Sequence, residues 1–148
     1  TYVTYDEYDH ELNKNTPLII WTKNSELRSE LHGEVDYVMG MYDVMPTIGN
    51  MLGIENEFAM GHDIFNIKDD NYVVFPNGNF LTSLIYYNNS ESQYKVIQEG
   101  AELSSDYISN LLEKTENILE VSNAIIVHDL IKSEGDTVRE IKENGASE

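Results

Sequence analysis

One short run constrains this chain more than any other: Asp43-Val44-Met45-Pro46-Thr47-Ile48-Gly49-Asn50-Met51-Leu52-Gly53-Ile54. Proline is accepted where a helix opens, because the N–H it lacks would find no intrahelical partner there. Met45-Pro46-Thr47 therefore predicts a helix start with Pro46 at the first helical position. Asp43 is placed just upstream, where a side-chain oxygen can satisfy free N–H groups of the first turn. Ile48, Met51 and Leu52 fall at i, i+3 and i+4 and form one apolar face. Gly53 supplies the left-handed residue that ends the helix.

The segments around this helix predict an α/β chain. Pro17-Leu18-Ile19-Ile20-Trp21 is continuously apolar, which predicts a strand buried on both faces, as in a parallel sheet. Residues 22–34 are polar and read as a surface excursion. Tyr72-Val73-Val74-Phe75 predicts a second strand, and Pro76-Asn77-Gly78-Asn79 a turn carrying the Asn-Gly hairpin signal. Phe80 to Tyr87 returns, Asn88 to Ser92 turns again, and Tyr94-Lys95-Val96-Ile97 completes an antiparallel meander of three strands. From Ser104 the period changes. Ile108, Leu111, Leu112, Ile118, Leu119, Ile125 and Ile126 follow helical spacing. Ser104 or Ser105 is the expected cap, with Asp106 behind it, and the helix is expected to run to about Lys132. The expected organisation is a polar lead-in at 1–15, an α/β portion at 16–132 and an acidic, disordered tail at 133–148.

Charge narrows the partners. The chain carries 27 acidic and 9 basic residues, a net charge of −18. Such a surface repels phosphate backbones and has no basic stripe to offset this, so nucleic acid is not an expected partner. No apolar run approaches the ~20 residues that a membrane-spanning helix needs, and the N-terminus shows no signal-peptide pattern. The chain begins at Thr1, not Met, so further sequence is expected upstream. With no cysteine, neither a disulfide framework nor a thiolate metal site is available.

Candidates for chemistry are few. The histidines are His10, His32, His62 and His128, and none stands in a metal-ligand spacing. Asp9-His10 lies in a polar run that reads as a surface loop. Gly61-His62-Asp63 predicts a turn whose aspartate caps a short helical stretch, and His128 sits where a helix dipole favours a cation. His32 is the candidate substrate-binding residue, because its loop follows a predicted strand, where ligands of open α/β sheets collect. No serine or threonine stands beside a base as an activated nucleophile, and there is no P-loop or dinucleotide fingerprint.

The run from Asp43 to Ile54 resembles the D-V-M-P-T-x-x-x-x-L-G-I segment of lipoteichoic acid synthases and related phosphoglycerol transferases, sulfatase-like members of the alkaline phosphatase superfamily. Further pieces agree in order. Thr16-Pro17-Leu18-Ile19-Ile20-Trp21 is similar to the upstream strand of that family. Gly61-His62-Asp63-Ile64-Phe65 resembles its G-x-D-L-[FL] segment, and Phe75-Pro76-Asn77-Gly78-Asn79-Phe80 its R-N-G-D-F hairpin. The helix predicted over 104–132 matches the one that closes such domains, so the resemblance covers roughly residues 16–132.

The resemblance implies a partial alkaline phosphatase-like domain from a membrane-anchored enzyme whose catalytic part faces outward from a bacterial cytoplasmic membrane. It implies a threonine nucleophile beside Mn²⁺ or Mg²⁺ that moves a phosphoglycerol group from a lipid to an acceptor. In the family the nucleophile, a metal-binding glutamate and a G-D-H metal motif lie upstream of the D-V-M-P-T segment. This chain has no G-D-H, so no catalytic residue, metal ligand or cofactor is assigned within it. Thr47 belongs to a helix start. The expectation is a catalytically incomplete C-terminal portion whose partner is the remainder of the catalytic domain, with exposed sheet edges that invite self-association. A fragment of a sulfatase or phosphodiesterase of the same superfamily, and a free-standing acidic protein-binding module, are the alternatives.

Overall fold

The computed structural model describes residues 16–67 and 71–135, in two units that meet between Tyr37 and Val38. The expected lead-in at 1–15, with Asp9 and His10, lies outside the described residues, as do residues 136–148 of the tail expected at 133–148; residues 133–135 of that tail are helical.

In the first unit the described residues form one short helix, α1 (Ser25–Glu30). Asn24 caps it: its side-chain oxygen accepts from the backbone N–H groups of Glu26 at 2.9 Å and Leu27 at 3.2 Å, which would otherwise lack partners. The strand expected at Pro17–Trp21 is not formed. Ile19 is 82% exposed and Trp21 68%. A strand exists through hydrogen bonds to a neighbour, and the sheet contains no strand paired with this run. Its apolarity signals a need for burial that the described residues do not meet.

The second unit opens with a 3-10 turn, Met41–Asp43, which passes directly into α2 (Val44–Leu52). Pro46 is thus the third helical residue and not the first, still within the turn whose N–H groups have no helical acceptor. Asp43 does not cap α2 with its side chain. It sits in helical backbone conformation at the junction of the two turns, and its carboxylate reaches back to the Gly40 N–H at 2.8 Å. Gly53 ends α2 as expected, at φ 67° and ψ 31°. A second 3-10 turn, Ile64–Asn66, is capped by Asp63, whose Oδ1 accepts from the Phe65 N–H at 3.1 Å.

Among the described residues four strands follow: β1 (Tyr72–Val74), β2 (Phe80–Thr82), β3 (Ile85–Asn88) and β4 (Gln93–Val96). They pair antiparallel in the order β1-β2-β3-β4. Three strands were expected; the run from Phe80 to Tyr87 folds into two. The cause is local. Thr82 Oγ1 accepts from the N–H groups of Leu84 at 3.1 Å and Ile85 at 3.0 Å. This closes a tight turn at Ser83-Leu84 that period-two apolarity does not reveal. The Asn77-Gly78 turn forms as expected, with Gly78 at φ 85°.

Helix α3 (Tyr107–Val127) lies against the sheet. Val74, Phe80, Ile85, Tyr87 and Leu111 are its buried centre, and the rings of Phe80 and Tyr87 stack 4.8 Å apart. The cap position of α3 is Asp106 and neither serine; the Asp106 side chain accepts from Ser105 Oγ at 3.0 Å. The helix stops at Val127, earlier than the expected Lys132. His128 is its last cap and Asp129 turns left-handed at φ 48°, after which residues 130–135 are helical again.

Candidate functional site

Polar side chains rarely lie fully inside a small unit, because desolvation costs them unless every group is hydrogen-bonded. Asp43 and Thr47 are both fully buried, and Asn71 nearly so. They form one node. Asp43 Oδ2 accepts from the Gly40 N–H at 2.8 Å and from Asn71 Nδ2 at 3.1 Å. Asp43 Oδ1 accepts from the His62 N–H at 2.8 Å. Asn71 Nδ2 also donates to the Val38 carbonyl at 2.8 Å. Thr47 Oγ1 donates to the Asp43 carbonyl at 2.6 Å and accepts from the Ile64 N–H at 3.1 Å. The node therefore ties the start of α2, the Gly61-His62-Asp63 turn, the second 3-10 turn and the lead into β1.

Gly61 belongs to the node by what it lacks. A Cβ there would lie 2.6 Å from Asp43 Oδ1 and 2.7 Å from Asp43 Cα, and would also collide with the Tyr42 carbonyl. Only glycine lets the turn come this close. Tyr42 adds another tie, its hydroxyl accepting from the Val74 N–H at 2.8 Å. Burial pushes the Tyr42 hydroxyl up to about 12; the Val74 hydrogen bond opposes the rise, and the charges of Asp43 and Tyr72 add to it. Tyr72 is also raised, first by burial and then by Asp43.

Above the node lies a half-exposed trio. The His62 side chain is 45% exposed, with Nδ1 3.9 Å from Asp43 Oδ1. Its ring meets that of Tyr72 edge-on, 5.7 Å between centroids. Lys114 Nζ stands 5.6 Å from the Tyr72 ring centre, a cation on the negative face of an aromatic ring. Beside it, Asn110, Glu113, Lys114 and Asn117 of α3 line a shallow recess.

The node joins an aspartate, a threonine and a histidine, yet its hydrogen bonds leave no room for catalysis. Thr47 Oγ1 is buried and engaged on both sides, so it offers no nucleophile. Both Asp43 oxygens face N–H donors, whose positive ends would oppose a divalent cation in the same place. The residues present do not fit a metal, and among the described residues no group of three or more histidines and carboxylates gathers elsewhere. His32 lies in the first unit, exposed, after α1. His128 ends α3. Sequence reasoning found Asp43, Thr47 and Gly61 as separate local signals and missed Asn71 altogether. The hydrogen bonds that unite them span 17 to 28 residues.

No family profile matches the chain, and no solved structure matches it. It is similar to lipoteichoic acid synthase 1 of Bacillus subtilis, 26% identical over 130 residues, which cover 85% of this chain and 19% of that protein. The chain thus spans about one fifth of the length of that relative. The relation is a distant one.

Proposed function

We propose that this chain is the C-terminal structural portion of an extracellular, metal-dependent phosphoglycerol transferase of the lipoteichoic acid synthase kind, and that it is catalytically incomplete by itself. The observation that carries the proposal is the similarity running through 85% of the chain but only 19% of the relative. The order of the Asp43–Ile54, Gly61–Phe65 and Phe75–Phe80 segments supports it, as does the mixed α/β architecture with its antiparallel sheet and helices. On this reading the fold is the closing part of an alkaline phosphatase-like domain, and the Asp43 node keeps that part rigid.

The nucleophile and its Mn²⁺ or Mg²⁺ then belong to the remainder of the parent polypeptide, which is also the chain's principal partner. No described helix is long and apolar enough to cross a membrane. Attachment to the outer face of a bacterial cytoplasmic membrane comes through the parent. His32 is the residue assigned to substrate contact.

The test compares this chain with the parent polypeptide, both supplied with Mn²⁺, on a chromogenic phosphodiester and on glycerophospholipid vesicles. The expected result is turnover by the parent and none by the chain, with a raised KM in the His32→Ala parent. Turnover by the chain alone would overturn the incompleteness. A parent that cleaves sulfate esters and transfers no phosphoglycerol would replace the reading with the sulfatase alternative.

A further inference from the structure

An amphipathic helix ordinarily turns its apolar side inward. Helix α2 does the reverse. Its fully buried residue is Thr47, held by the Asp43 carbonyl and the Ile64 N–H. Met45 is 59% exposed and Leu52 66%, with Ile48 between them also exposed. These three follow i, i+3, i+7 spacing and share one face. Met41 before the helix and Ile54 after it are exposed as well. The helix cannot roll to hide this stripe without breaking the hydrogen bonds of Thr47 and stranding buried donors.

We infer that this outward face is a docking face, covered in the parent protein by an apolar, uncharged surface belonging to the polypeptide outside this chain. The inference rests on the function proposed above and adds the place of contact. Three observations select that occupant. Residues 44–54 carry no charge in a chain of net −18, so the surface excludes a charged partner that would lose its solvation there. A second copy would bring together two chains of net −18, a long-range repulsion that the apolar gain must overcome. About four fifths of the length of the similar synthase has no counterpart in this chain, which supplies a covering surface on the same polypeptide. Methionine at positions 41 and 45 suits such a seam, because its flexible thioether fits irregular neighbours.

The chain has no cysteine, so each substituted thiol is the one on its own tryptic peptide. Met45→Cys and Leu52→Cys place a thiol on the face. Glu91→Cys, exposed in the β3–β4 turn, is the reference. Each is made in the parent polypeptide and, separately, in this chain alone, and is treated with a maleimide, native and in urea, with labelling read on the tryptic peptide. The expected result is native labelling of positions 45 and 52 slower than position 91 by at least about tenfold, with equal rates in urea. Equal native rates in the parent would overturn the inference, as would the same protection in the chain alone, the sign of cover from within the chain itself, or protection that vanishes on dilution, the sign of a second copy. Phosphoglycerol transfer by the same samples is measured separately. Protection without transfer sinks the functional reading alone; transfer without protection sinks the docking face alone.

Discussion

Asp43 and His62 are bound through the backbone of one and the side chain of the other: the His62 N–H donates to Asp43 Oδ1 at 2.8 Å, and the His62 ring nitrogen Nδ1 stands 3.9 Å from the same oxygen. A buried carboxylate persists only where such donors replace water. Here Gly40, His62 and Asn71 supply them.

Replacing Asp43 by Asn tests this directly. The amide keeps one acceptor oxygen and turns an NH₂ group toward N–H donors on the other side. Unfolding in urea is expected to show a loss of about 2–4 kcal/mol, the range for a buried network left unsatisfied. A change within about 0.5 kcal/mol, typical of a surface substitution, would show that the node does not hold the unit together.

Gly61→Ala carries a different prediction, because it adds volume and removes no donor. The new methyl group would lie 2.6 Å from Asp43 Oδ1 with backbone on either side. Separation of the turn from α2 is expected to cost roughly 1–3 kcal/mol, as overpacking does. Gly33→Ala, where nothing lies within 4 Å of the added atom, is the matched control. Equal melting temperatures for the two variants would refute the close approach.

Alkaline pH should weaken the fold through Tyr42. Its hydroxyl is raised from 10.0 to about 12 in the folded chain, chiefly by burial. Between those values the unfolded chain releases the proton and the folded chain keeps it, so stability is complete below pH 10 and falls toward pH 12. The ring is only partly buried, and the loss is on the order of 1 kcal/mol once solvent screening is discounted. In Tyr42→Phe the alkaline fall should shrink but not vanish, since Tyr72 is also raised by burial and by Asp43. At neutral pH the same variant should lose about 1–2 kcal/mol, because the Val74 N–H is left without its acceptor. An unchanged alkaline profile in the variant would place the titration elsewhere.

The inverted helix predicts an inversion of mutational effects in the isolated chain. Met45→Lys, on the outward face, is expected to change unfolding free energy by less than about 0.5 kcal/mol. Thr47→Val removes a hydroxyl that serves two backbone groups and is expected to cost about 1–3 kcal/mol despite its apolar replacement. The reverse order would mean that Met45 and its neighbours face the interior.

Several elements are legible in the sequence because their causes are local. Gly53 ends α2, Asp63 caps the second 3-10 turn and Asn77-Gly78 closes its hairpin. Each depends on backbone preferences over four or five residues. The split of Phe80–Tyr87 into two strands was missed although its cause is also near at hand, since the Thr82 hydroxyl turning the chain leaves no trace in the apolar pattern. The Pro17–Trp21 strand failed for the opposite reason. Its pattern is clear, but a strand needs a neighbour, and pairing is not a property of the segment itself.

The run from Asp43 to Ile54 holds both kinds of information. By itself the sequence determined that a short helix would form there, where it would stop and that Ile48 and Leu52 would share an apolar face, though not that Met45 would extend it. It could not say which way that face would point. Apolar patterning predicts an inward turn, and the tertiary structure decided otherwise: hydrogen bonds from His62, Ile64 and Asn71 clamp the polar side of the run inside. The helix is oriented by distant donors that must be satisfied once buried, and its apolar stripe is left facing outward.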